Sequence, residues 1–192
     1  MVDIQHEEAC SHSNFVIRHN AVRDAIGTAL RAAVSTDVII EPPTDEGLRR
    51  NDIALRGPGK FGRRDVDYDV KVYSMSNQYG ARSIHCPFKQ GDNHPFKVVE
   101  ERCTKWFTAN EAKTTTNAPE NRNIGFKPLV FSTGGLMSPG TLKELEMWTR
   151  ELGKLAVGRL LDRISICLLE ARAKLLAGSL VLGDGTVSEE II

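Results

Sequence analysis

The chain has 192 residues, 41% of them hydrophobic, and its 25 basic and 25 acidic side chains leave no formal net charge. That length supports one domain with a real core, or one domain with flanking pieces, and the balanced charge points to no partner by itself. No run of about 18 apolar residues occurs, which excludes a helical membrane span. Cys10, Cys86, Cys103 and Cys167 form no CxxC pair and follow no secretory signal, as expected for a reducing compartment inside the cell.

Residues 20–34 predict an amphipathic helix, because Val22, Ile26, Ala29, Leu30 and Ala33 recur at helical spacing behind Asn20 as N-cap. Asp37 to Glu41 predicts a strand stopped by Pro42-Pro43. Arg50 to Leu55 and Asp67 to Val72 predict two further short strands, joined through the glycine-rich turn Gly57 to Gly62. Residues 74–93 lack periodicity and read as a loop. Pro95 to Glu111 predicts a helix with Val98, Val99, Cys103, Trp106 and Phe107 on its apolar side. After a polar loop, Phe126 to Ser132 predicts a fourth strand, ended by a plain turn at Gly134-Gly135. Thr141-Leu142-Lys143-Glu144 has the capping-box pattern and opens a helix with Leu142, Leu145, Trp148, Leu152 and Leu155 on one face. A last helix spans about Asp162 to Leu176, and the tail frays from Gly178. Helix, three strands, helix, strand and closing helices fit an α/β fold with a mixed sheet covered by helices.

Two of these strands carry the chemistry. In an extended strand residues i and i+2 share a face, so Asp69 and Lys71 lie together, opposite Tyr68, Val70 and Val72. Ile53 and Leu55 turn to the core while Asp52 turns away. Pairing of the two strands would bring Asp52, Asp69 and Lys71 together on one open face. Two carboxylates and an ammonium so placed suit a magnesium or manganese ion that assists phosphodiester cleavage. Asp52 and Asp69 would hold the ion, the carbonyl of Val70 would add an oxygen, and Glu41 at the end of the preceding strand is a third candidate carboxylate. Asp65 and Asp67 are alternatives if the register differs. Lys71 would orient the attacking water and offset developing negative charge. The stretch Arg49 to Arg64 holds six basic residues against the single acid Asp52. Among them Arg50, Arg56, Lys60, Arg63 and Arg64 would attract a phosphate backbone. His19 is expected to cap or pack, and Cys103 and Cys167 to join the core.

The array resembles the PD-(D/E)XK nuclease superfamily, with Asn51-Asp52 in the place of Pro-Asp and Asp69-Val70-Lys71 as the (D/E)XK element. Sixteen residues separate the two aspartates. A narrower resemblance rests on Arg18-His19-Asn20-x-x-Arg23-Asp24, Glu41-Pro42, Asp52-Ile53-x-x-Arg56-Gly57, Asp69-Val70-Lys71-Val72 and Pro128 to Gly135, in that order. These are similar to the restriction-like endonuclease region that follows the reverse transcriptase in certain non-LTR retrotransposon polyproteins. The resemblance implies a restriction-endonuclease-like αβββαβ core with a central mixed sheet flanked by helices, followed by C-terminal helices. It implies a Mg²⁺- or Mn²⁺-dependent DNA nickase whose cut primes reverse transcription, acting in the nucleus or cytoplasm and meeting element RNA only through other modules. A catalytically inactive nucleic-acid-binding domain is the alternative. Lys105-Trp106 stands where relatives carry Lys-Tyr, so Lys105 joins the candidate DNA contacts. His6-Glu7-Glu8-Ala9-Cys10 resembles the last half of a CCHC zinc motif. Residues 1–17 are therefore expected to be a zinc-knuckle-like remnant, 18–177 the nuclease domain and 178–192 a flexible tail. His6 and Cys10, even with His12, do not complete a tetrahedral zinc site.

Overall fold

The structure, a computed structural model, describes residues 12–33, 37–42, 51–57, 65–74, 96–116 and 124–183. Helix α1 (His12–Ala33) leads into strands β1 (Asp37–Ile40), β2 (Ile53–Arg56) and β3 (Val66–Tyr73). Helix α2 (Phe96–Thr116), strand β4 (Gly125–Ser132) and helices α3 (Pro139–Leu152) and α4 (Lys154–Gly183) complete the order. The four strands form one mixed sheet in the order β1-β2-β3-β4. β1 pairs with β2 and β2 with β3 antiparallel, and β3 pairs with β4 in parallel.

The period-two alternation of the strands decides which helix covers which face. Tyr68, Val70 and Val72 of β3 and Leu129 and Phe131 of β4 turn one way, into a core shared with Val38, Ile53 and Leu55. Val22, Ala25, Ile26 and Leu30 of α1 and Val157, Leu160, Ile164 and Leu168 of α4 pack into the same core. Burying each such aliphatic side chain contributes roughly 1.5–3 kcal/mol, so packing rather than local propensity fixes these helices. Trp148 of α3 meets the Tyr68 ring edge-on, with centroids 5.5 Å apart. The opposite face carries a smaller cluster in which Trp106 and Phe107 of α2 pack on Val130, beside Tyr73 and Cys103.

Several boundaries differ from the sequence expectation. Asn20 lies inside α1, which begins at His12, because helix length follows the face packed on the sheet rather than the first cap residue in the sequence. Helix α2 continues past Glu111 to Thr116, and the last helix is one 30-residue segment that reaches Gly183. The N-cap of α3 is Ser138, whose hydroxyl accepts from the Thr141 amide, with Pro139 in the first turn. Thr141 is instead committed to the sheet, where its Oγ1 accepts from the Val130 amide at 2.8 Å. Leu155 does not continue the Leu145–Trp148 face: Gly153, at φ 88°, separates α3 from α4, and Leu155 and Leu142 are exposed. The turn at Gly134-Gly135 is as expected, with the Gly135 amide donating to the Ser132 carbonyl. His6 and Cys10, and the side chain of His12, lie outside the described residues.

Candidate active site

The site forms where β2 begins, so that β3 beyond Tyr68 keeps β4 on one edge and has no strand on the other. Ile53 pairs with Tyr68, and one residue earlier the Asp52 amide still donates to the Tyr68 carbonyl at 3.0 Å. Beyond that point the Asp52 side chain takes over from the strand. Its Oδ2 accepts from the Val70 amide at 2.5 Å, satisfying a buried donor that β2 no longer reaches. The backbone here is fixed from the other side as well, since the Glu41 amide donates to the Asp52 carbonyl at 2.9 Å. Glu41 achieves this with φ at 49°, a left-handed conformation unusual for a residue with a side chain.

Asp69 and Lys71 share a face of β3, as the alternation requires, and Lys71 Nζ donates to Asp69 Oδ1 at 2.6 Å. The Asp52 and Asp69 carboxyls are near enough for each to shift the other's protonation. Asp52, Asp69 and Lys71 therefore converge, but not on an open face. Asp52 is 8% exposed and Asp69 4%, because helices cover both sides of the sheet. Burial pushes the Asp52 carboxyl upward, yet the hydrogen bond and charge of His19, the neighbouring Asp69 carboxyl and the charge of Lys71 together hold it below the ordinary carboxylate value. Burial raises Asp69, Lys71 opposes that rise, and Asp52 adds to it, so Asp69 ends above its ordinary value. The pair thus divides into one carboxylate ionised readily and one reluctantly.

His19 was expected only to cap or pack. Its Nε2 lies 3.0 Å from Asp52 Oδ1. An ionised carboxylate only accepts, so Nε2 carries the proton of this bond. The sequence signal was helical phase: His19 precedes Val22 and Ile26 by three and seven residues and so falls on the face of α1 that meets the sheet. What the sequence could not supply was the partner, 33 residues away.

The other candidates are placed as follows. The Val70 amide faces the edge that Asp52 occupies, and in an extended strand a residue's carbonyl faces the same edge as its amide. Glu41 does not turn to the carboxylate pair; its side chain is half-exposed and ion-paired with Arg23 of α1. Asp67 is held by Asn51 Nδ2 at 2.6 Å and by the Arg56 guanidinium at 2.5 Å, and Asp65 Oδ1 accepts from the Gly57 amide at 3.0 Å. Arg56 is thereby engaged at the base of the β2–β3 connection. Lys105 is on the exposed side of α2, and Trp106 beside it is buried against Tyr73 and Phe107. Arg50, Lys60, Arg63 and Arg64 lie outside the described residues.

Among the described residues no group of three or more His, Cys, Asp or Glu side chains is gathered as a metal-binding set. The donors at the β2 edge are two carboxylates and a backbone carbonyl. That all-oxygen set lacks the cysteine and histidine ligands that dominate zinc sites, and fits magnesium, which binds through one or two carboxylates plus waters. No described helix is long and apolar enough to cross a membrane. The chain matches no protein-family model and no curated protein sequence.

Proposed function

We propose that the chain is a metal-dependent DNA endonuclease domain, a nickase of the restriction-like kind found in non-LTR retrotransposon proteins, acting inside the cell. The observation that carries this reading is the convergence of Asp52, Asp69 and Lys71 from two adjacent strands. The element order supports it: one helix, three antiparallel strands, a helix and a fourth strand parallel to the third follow the αβββαβ pattern of that superfamily.

Asp52 and Asp69 would hold Mg²⁺ or Mn²⁺ with the Val70 carbonyl as a further oxygen donor. When bound, the ion supplies a more acidic water and neutralises charge on the phosphate. Asp52 is already ionised and held in place by the Val70 amide and His19. Lys71 keeps its ammonium 2.6 Å from Asp69, close to where a scissile phosphate oxygen would lie, and offsets charge that develops there. Burial lowers the local dielectric, so each of these charges acts more strongly than it would in water. Lys105 on the exposed side of α2 and the basic residues before β3 would track the DNA backbone.

A nicking assay on supercoiled plasmid with Mn²⁺ tests the reading. The wild type is expected to give open circles, and Asp69→Ala and Lys71→Ala to lose nicking by at least about a hundredfold while keeping the fold, as for removal of a principal electrostatic group. Equal nicking by the wild type and both variants would remove the proposal. One observation favours a second reading, a catalytically inactive DNA-binding domain: both carboxylates are buried and already paired. That reading expects salt-sensitive DNA binding that persists when both aspartates are replaced.

A further inference from the structure

We infer that His19 is a positioning residue for the divalent-cation site, acting through Asp52; this rests on the metal-dependent reading above. Asp52 stands at a strand terminus, where the ladder no longer dictates the side-chain direction. The Val70 amide fixes only Oδ2, at 2.5 Å, and the carboxylate plane can still rotate about that contact. The bond from His19 Nε2 to Oδ1 at 3.0 Å is a second anchor, and two anchors fix the plane. Each oxygen keeps a further lone pair, so a carboxylate held in this way can still ligate a cation.

Helix α1 is equipped for this role. One and two turns beyond His19, Val22 and Ile26 are fully buried in the core, which anchors the helix that carries the imidazole. The next polar residue on this side, Arg23, binds the Glu41 carboxylate, and the Glu41 amide in turn donates to the Asp52 carbonyl at 2.9 Å. Helix α1 therefore grips Asp52 twice, at its side chain through His19 and at its backbone through Arg23 and Glu41. A histidine that only filled space would need neither the 3.0 Å contact nor the parallel clamp on the same residue. Partners that orient a metal-binding carboxylate typically change affinity by about 10–100-fold when removed.

Mn²⁺ binding, followed by the loss of the free-ion electron paramagnetic resonance signal, tests the inference on the whole chain. His19→Ala is expected to bind Mn²⁺ about 10–100-fold more weakly than wild type, with His19→Gln, which restores a donor, recovering most of the loss. Both variants are expected to keep the wild-type circular dichroism spectrum. Should His19→Ala fail to fold, His19→Leu, which fills similar space without a donor, replaces it. Wild-type affinity in the donor-free variant would overturn the role of His19 and leave the metal site standing. Tighter binding would also overturn it, by showing that His19 competes with the ion. Absence of Mn²⁺ binding by the wild type would remove the metal-dependent reading and this inference with it.

Discussion

Asp52 and Asp69 perturb each other, yet their surroundings push them in opposite directions, and this has a measurable consequence for stability. Asp69 has a raised folded-state value, so between the ordinary carboxylate value and that raised value the folded chain holds more protons than the unfolded one. Stability therefore falls as pH rises through that window, and the cost persists at neutral pH. Asp52 has a lowered value, so its contribution is present above the ordinary carboxylate value and is lost as pH falls through the lowered one. Asp69→Asn is accordingly expected to raise the melting temperature of the metal-free protein at neutral pH, and Asp52→Asn to lower it. Thermal unfolding across the acid-to-neutral range measures both, and the reverse order would contradict the assignment. The identities of these residues were legible in the sequence, because the i, i+2 rule places Asp69 with Lys71 and apart from the core residues Val70 and Val72. The role of His19 was not, since helical phase gave its direction but nothing gave its partner.

Among the elements, α3 shows how a helix start can be read three residues late. Thr141 and Glu144 have the spacing of a capping box, but both side chains are used elsewhere. Thr141 binds the Val130 amide, and Glu144 accepts from the Tyr68 hydroxyl and from Lys127, each at 2.5 Å. The true cap is Ser138, and the Ser138-Pro139 pair carried that signal. Glu111 of α2 reaches across to the same helix start, where its carboxylate accepts from the Gly140 amide at 2.9 Å and from the Ser138 hydroxyl. A Cβ at Gly140 would displace that carboxylate from its present position over the first turn of α3. Ser138→Ala is expected to cost about 1 kcal/mol, the usual value of an N-cap, with some excess from the lost Glu111 contact. Urea unfolding would show a lower midpoint with an unchanged slope; an unchanged midpoint would mean that α3 is held by Trp148 and Leu145 alone. The strands were easier to read than the helix ends, because alternation is a property of the strand itself. Helix length depends on the surface against which the helix packs, as at α1 and α4.

For the molecule as a whole, the sheet order explains both the convergence and the burial of the site. β2 is short, β3 extends past it, and the polar side chains of Asp52, Asp69 and Lys71 gather in the resulting step. Adjacency of the two strands was legible from their spacing and the glycine-rich turn. Burial was not, because it arises from α1 and α4 on one face and α2 on the other, elements whose docking no local pattern specifies. The open cationic hairpin expected around the site is likewise altered at Arg56, which turns inward to Asp67 instead of outward to solvent. The β2 step is thus a place where charges are assembled and shielded together.

The most direct measurement is the anomalous scattering of manganese in crystals grown with Mn²⁺. One peak is expected at the β2 edge, with carboxyl oxygens of Asp52 and Asp69 each about 2.1 Å away, near the spacing that Mg²⁺ adopts. Diffraction that places no manganese there, and leaves Lys71 on Asp69 and His19 on Asp52 as in the metal-free chain, would contradict the account.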